Sequence, residues 1–215
     1  MMKRTLLVAT LALMFGVGPM AALGTAAPIE LNSGVFFTQA ATGESTGRGL
    51  GVTMLNDFAL TSLGIQADLN LLSFDVQLYG STNGSDTGAL FASATAVLGG
   101  TGYQWWDIPL NFDLLAGSSY VLHFRPTVST TNWLDDGGLG LAYYHDSGLP
   151  VDIGAFRLID GEEGWTPPLN FSNFVHADLR VNGADAAAVP EPATLLLLGG
   201  GLVAARVRRY RRRSA

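Results

Sequence analysis

The sequence predicts an all-β domain, a two-sheet antiparallel sandwich, on three observations. Apolar and polar residues alternate through the middle of the chain, as Phe74, Val76 and Leu78 do against Asp75, Gln77 and Tyr79; a strand with one buried face has this period. Gly, Asn and Asp punctuate the alternating runs at short intervals, as turns between strands require. Between Pro28 and Val189 nothing sustains a helical period over the ten or so residues a helix needs.

The β-rich region runs from Val35 to Asn182. Ala59 to Leu72 can hold a helical turn, but Gly64 and the β-branched residues favour strand pairing. Phe74 to Tyr79 forms a strand, and the segment from Ser81 to Gly88 contains Asn83-Gly84, a hairpin signal. Leu90 to Leu98 is then the return strand, and Gly102 to Phe112 another. In Ser119 to Thr127, Tyr120, Leu122 and Phe124 share one face and His123 takes the other. Leu139 to His145, Asp152 to Ile159 and Asn173 to Val181 complete the set. In the last, Val175, Ala177, Leu179 and Val181 lie opposite Phe174, His176, Asp178 and Arg180. Roughly eight or nine such strands suit a sandwich of jelly-roll type, and no blade or solenoid period appears.

Both ends of the chain read as addresses. Lys3 and Arg4 precede an apolar run from Thr5 to Val17, and small residues follow from Ala21 to Ala27. That is a secretory signal peptide over residues 1–27, with cleavage between Ala22 and Ala27 and Ala26 a reasonable last residue. The sandwich domain is expected over 28–183 and a small-residue linker over 184–188. At the other end stands Val189-Pro190-Glu191-Pro192, then an uncharged, mostly apolar run from Ala193 to Ala205, then six arginines between Arg206 and Arg213. Proline fixes its own φ and disfavours helix in the residue before it, so this entry is extended and accessible to a protease. A helix over 193–205 rises about 20 Å against a hydrocarbon core of about 30 Å. It is a marginal transmembrane segment, weakened further by Gly199, Gly200 and Gly201, and suits brief retention. The arginines place its end in the cytoplasm and the domain outside.

The order of these features over 189–215 resembles the PEP-CTERM sorting tail of exported Gram-negative bacterial proteins. The resemblance implies recognition by an exosortase, a membrane protease that removes the anchor. The protein is then released or transferred to the cell surface or extracellular matrix, in bacteria that make exopolysaccharide and biofilm. Val189, Pro190, Glu191 and Pro192 are the residues matching the sorting motif.

A second resemblance is to bacterial surface β-sandwiches of the galactose-binding and carbohydrate-binding jelly-roll kind. Phe74-Asp75-Val76-Gln77-Leu78-Tyr79, Leu90-Phe91-Ala92-Ser93-Ala94, Trp105-Trp106-Asp107-Ile108-Pro109-Leu110 and Leu115-Ala116-Gly117-Ser118-Ser119-Tyr120-Val121-Leu122 carry it. It speaks to fold more than to ligand.

Charge removes several functions. Between Pro28 and Val189 four arginines, Arg48, Arg125, Arg157 and Arg180, face seventeen acidic residues, a net charge of −13 with no lysine. Such a segment repels a phosphate backbone, so nucleic-acid binding is not expected. The chain has no cysteine, which excludes a thiol nucleophile, a thiolate zinc site and thiol lipidation of the exported protein.

Candidate chemistry is sparse, and no catalytic residue is assigned. No serine has an identifiable base, no Gly-rich phosphate loop opens a helix, and no acidic pair is placed across a cleft by the sequence. A pair of Asp or Glu carboxylates, or His176 with Asp178, two apart on one strand face, is the basis of an alternative reading as a secreted hydrolase acting on polysaccharide. No cofactor is expected beyond a structural calcium, for which Asp135, Asp136, Asp160 and Glu162 are the candidate ligands in oxygen-rich loops. Asn83, Ser85 and Asp86 form another such loop. Trp105, Trp133, Trp165 and Tyr144 are the candidates for stacking on sugar rings, Trp133 and Trp165 because turn-rich segments expose them. Trp105 and Trp106 are adjacent on one strand; if Trp106 joins Ile108 and Leu110 inside, Trp105 and Asp107 point out, or the reverse. The sequence thus describes a non-catalytic exported module, polysaccharide-associated or structural, delivered by its tail.

Overall fold

A computed structural model describes residues 27–32, 37–41, 45–129, 132–135, 140–144, 148–172, 175 and 177–185. Residues 1–26 of the expected signal peptide, the Pro-Glu-Pro segment, the transmembrane segment 193–205, His145, His176 and Asp136 lie outside them. The described residues hold strands and no helix. In chain order the strands are β1 (Ile29–Leu31), β2 (Phe37–Ala41), β3 (Gly47–Met54), β4 (Phe58–Ala67), β5 (Leu72–Ser81), β6 (Leu90–Leu98) and β7 (Gln104–Leu114). Then come β8 (Ser119–Pro126), β9 (Leu141–Tyr144), β10 (Val151–Ile153), β11 (Phe156–Gly164), β12 (Asn170–Ser172) and β13 (Leu179–Asp185).

They form two antiparallel sheets. The first has the order β1-β13-β4-β9-β2, with β7 on the other edge of β4; the second has the order β10-β11-β3-β8-β5-β6, with β12 beside β11. Alternation puts Leu50, Val52, Phe74, Val76, Leu78, Leu122 and Phe124 on the inner face of the second sheet. They meet Leu63, Ile65, Ile108, Leu110, Leu179 and Val181 of the first in one continuous core. The phase of β4 changes partway: Phe58 and Leu60 are buried, then Leu63, Ile65 and Ala67. An irregularity in pairing between Leu60 and Ser62 accommodates the shift. This is why 59–72 shows no clean alternation in sequence.

Several segments differ from expectation. The strand expected over 152–159 is a hairpin, β10 and β11, turning at Gly154, whose φ of +58° lies in the left-handed region. The run expected over 173–181 starts its strand only at Leu179, though Val175, Ala177, Leu179 and Val181 are all buried as the alternation required. Trp133 is a correction. It was expected to be exposed, yet it is fully buried against Phe74 and Phe124. Its indole N–H is satisfied inside by the carbonyl of Thr46 at 2.9 Å, so the ring is core rather than a sugar platform. β13 runs on through Ala184 and Asp185, the first two residues of the expected linker.

Candidate functional site

The outer face of the first sheet carries an assembled polar cluster. β13, β4 and β7 lie side by side, with Arg180 opposite Gly64 and Gly64 opposite Asp107. Gly64 has no side chain, so the Arg180 guanidinium reaches across the middle strand to the Asp107 carboxylate. A Cβ at Gly64 would collide with Asp107 Oδ1 and lie 3.0 Å from the carbonyl oxygen of Trp106. Arg180 Nε donates to Asp107 Oδ1 at 2.9 Å and its Nη2 to Oδ2, the two-pronged geometry of a strong ion pair. Asn182 Nδ2 donates to Asp107 Oδ1 at 3.2 Å and to Ser62 Oγ at 2.6 Å.

Trp105 joins this cluster. The guanidinium carbon of Arg180 stands 4.6 Å from its ring centroid, within cation–π range. Trp106, next in the chain, turns inward, packs on the core and donates its indole N–H to the carbonyl of Ala67 at 2.9 Å. The parity argument therefore places Trp105 and Asp107 outside. Trp105, Asp107, Arg180 and Asn182 are all half-buried, held in position yet reachable.

The outer face of the second sheet repeats the motif and then covers itself. Arg125 reaches Asp75 Oδ2 through Nε and Nη2 at 3.4 and 3.2 Å and donates through Nη1 to the carbonyl of Trp165 at 2.6 Å. Its guanidinium lies 4.9 Å from the Trp165 ring centroid. Thr95 Oγ1 donates to the other Asp75 oxygen at 2.6 Å. Beside this, Leu169 and Phe171 pack on Tyr79 and Val121, roofing part of the face.

Beside it lie His123 and Glu162, with the Tyr79 ring centroid 6.3 Å from that of His123. Gly49 of β3 pairs with His123 on one side and with Glu162 on the other. The two side chains meet over the bare glycine, where a Cβ would run into the Glu162 carboxylate. His123 Nδ1 hydrogen-bonds Glu162 Oε1, and both side chains have zero exposure. Neither His123 Nε2 nor Glu162 Oε2 has a hydrogen-bond partner among the described residues. Burial pushes the Glu162 carboxyl above its ordinary value, an effect partly opposed by His123 and Arg48. The alternation placed His123 on the face away from the core; its complete burial there was not foreseen.

The calcium candidates are dispersed in role. Glu162 faces His123; Asp160 is buried, with its carboxyl raised by desolvation; Asp135 lies beside the Asp68 backbone. Among the described residues no group of three or more His, Asp or Glu is gathered as a metal centre. In the loop holding Asn83 and Ser85, the Asp86 carboxylate accepts from Ser81 Oγ at 2.5 Å, Thr82 N at 2.7 Å and Thr82 Oγ1 at 2.9 Å. Those bonds hold its pKa below the ordinary range, the Ser81 bond most. Tyr144 belongs to β9, opposite Phe37. Asp178 is buried.

Sequence reasoning missed the Arg–Asp pairs. The available signal was the scarcity of cations: each of the four arginines in the acid-rich domain has a carboxylate partner, Arg48 with Glu163, Arg125 with Asp75, Arg157 with Asp152 and Arg180 with Asp107.

These features define an acid-rich, two-sheet β-sandwich bearing fixed polar–aromatic clusters on its outer faces. The chain continues beyond the sandwich into a sorting signal: residues 188–213 match the PEP-CTERM protein-sorting motif. The motif implies an exported protein anchored at its C-terminus, with an exosortase as the kind of partner that processes it. No curated protein compared with the chain matches it.

Proposed function

We propose that this chain is a non-catalytic, polysaccharide-associated module, carried to the cell surface or extracellular matrix by its tail, with a sandwich of jelly-roll, galactose-binding-like type. The observation that supports this reading most is the Trp105 cluster. An indole ring, one face of it against the Arg180 guanidinium, stands beside a carboxylate and a carboxamide, and the three polar groups fix one another's positions. A sugar offers matching chemistry, an apolar ring face rimmed by hydroxyls that both donate and accept. The cluster holds no activated nucleophile: its carboxylate is bound by two donors, Arg180 and Asn182. The imidazole–carboxylate pair, His123 with Glu162, is sealed from substrate by complete burial, which favours a structural part for it.

The test is equilibrium binding of the purified full chain to native exopolysaccharide and to a panel of neutral and acidic glycans. Trp105→Ala is expected to weaken binding by about 1–2 kcal/mol, roughly tenfold, while Trp165→Ala separates the second cluster from the first. Wild-type protein that binds no glycan in the panel refutes the reading. So does turnover of any of these polymers by the purified chain.

A further inference from the structure

β6 is an edge. Among the described residues it pairs on one side only, with β5, so none of them forms a strand ladder with the backbone N–H and C=O groups of its other side. The remaining edges are guarded or short. β1, β10 and β12 are three residues long and β2 five, and β7 carries Asp107, Pro109 and Asp113. β6 is nine residues, Leu90-Phe91-Ala92-Ser93-Ala94-Thr95-Ala96-Val97-Leu98, without charge, proline or glycine. Charges and prolines are what keep natural edges apart.

The strand also reads almost the same in both directions. About Ala94, Ser93 mirrors Thr95, Ala92 mirrors Ala96 and Leu90 mirrors Leu98. Ser93 and Thr95 are exposed, whereas Ala92, Ala94 and Ala96 are half-buried against the core. The irregularity at Leu78–Tyr79 accompanies Phe91 stacking on Phe112, with ring centroids 5.9 Å apart, so the symmetric stretch is Ala92 to Ala96. Charge singles out the same strand. A domain with four arginines and seventeen acids repels its own copies over most of its surface, and β6 is free of that repulsion.

We propose that β6 pairs antiparallel with β6 of a second copy of this chain, about a two-fold axis at Ala94, continuing the larger sheet from one molecule into the next. Alanine then meets alanine on the inner side and hydroxyl meets hydroxyl on the outer, a favourable cross-strand arrangement. Such a contact is self-complementary and closes as a dimer. It stands apart from glycan binding, since the Trp105 cluster lies on the other sheet.

The chain has no cysteine, so single-cysteine variants of the full chain in detergent report the register without background. Opposed Cα atoms in an antiparallel pair are about 4.5 or 5.5 Å apart, within the span of about 4.4–6.8 Å that a disulfide bridges. On mild oxidation Ala94→Cys is expected to give roughly tenfold more dimer than Ser93→Cys or Thr95→Cys alone, and mixing the last two restores it. By sedimentation, wild type dimerises with concentration. Ser93→Lys/Thr95→Lys, whose positions are exposed and whose fold is checked by circular dichroism, loses the dimer. Equal cross-linking at 93, 94 and 95 overturns the proposal, as does a wild type monomeric at all concentrations, whether β6 is bare or covered by another segment of its own chain. Dimers that survive the lysine pair, held by the tail or another face, also overturn it.

Discussion

Removal of the His123 imidazole is the sharpest probe of the buried pair. Glu162 has zero exposure, and His123→Ala strips its carboxylate of the one side chain that hydrogen-bonds it among the described residues. Breaking a buried pair by deleting one partner costs about 3–5 kcal/mol. For a chain of this size each kcal/mol lowers Tm by about 2–4 °C, so the drop is roughly 6–20 °C. The stranded carboxyl escapes part of the penalty by holding a proton, so the loss is larger at neutral than at acid pH. Glu162→Gln keeps an oxygen acceptor for His123 and is the milder change, about 1–2 kcal/mol. Thermal unfolding of the purified full chain at two pH values measures both. A His123→Ala loss below about 1 kcal/mol, or one equal at acid and neutral pH, refutes the reasoning.

Three further outcomes follow from the same geometry. Because burial raises the Glu162 carboxyl, the native state keeps a proton that the unfolded chain has already released once pH passes the ordinary carboxyl value. The contribution is full below that value and is lost as pH rises through the native titration; Glu162→Gln removes this slope in a pH series of unfolding. Gly64→Ala inserts a methyl group where Asp107 Oδ1 and the Trp106 carbonyl stand; it should cost about 1–3 kcal/mol and weaken glycan binding together with stability, measured by unfolding and titration on one sample. Trp133→Ala empties a fully buried site and should cost about 3–5 kcal/mol, read as a Tm drop larger than that of Trp105→Ala or Trp165→Ala.

What the sequence disclosed was local. The bounds of β6 are those the alternation predicted, Leu90 to Leu98, and the parity of the Trp105–Leu110 run correctly divided the two tryptophans between faces. Period two needs only neighbouring residues, so it survives in the sequence wherever a strand is regular. It failed where pairing slips, as in β4, and where a single glycine turns a strand into a hairpin, as at Gly154. The candidate site was legible only in part. Trp105 was identifiable by its position beside an inward Trp106, but its partners Arg180 and Asn182 stand 73 and 75 residues from Asp107. Buried His123 likewise meets Glu162, 39 residues away, and buried Trp133 meets Phe74 and the carbonyl of Thr46, remote in sequence. No spacing rule reports such contacts.

The sandwich is the cargo and the sorting tail its address, and the mass of the protein recovered from its producer's surface or matrix tests that directly. Intact-mass and C-terminal peptide measurements are expected to find a chain that has lost the arginine-rich end, with its new C-terminus at or near Val189-Pro190-Glu191-Pro192. A surface-recovered protein whose C-terminus is intact through Arg213 contradicts the account.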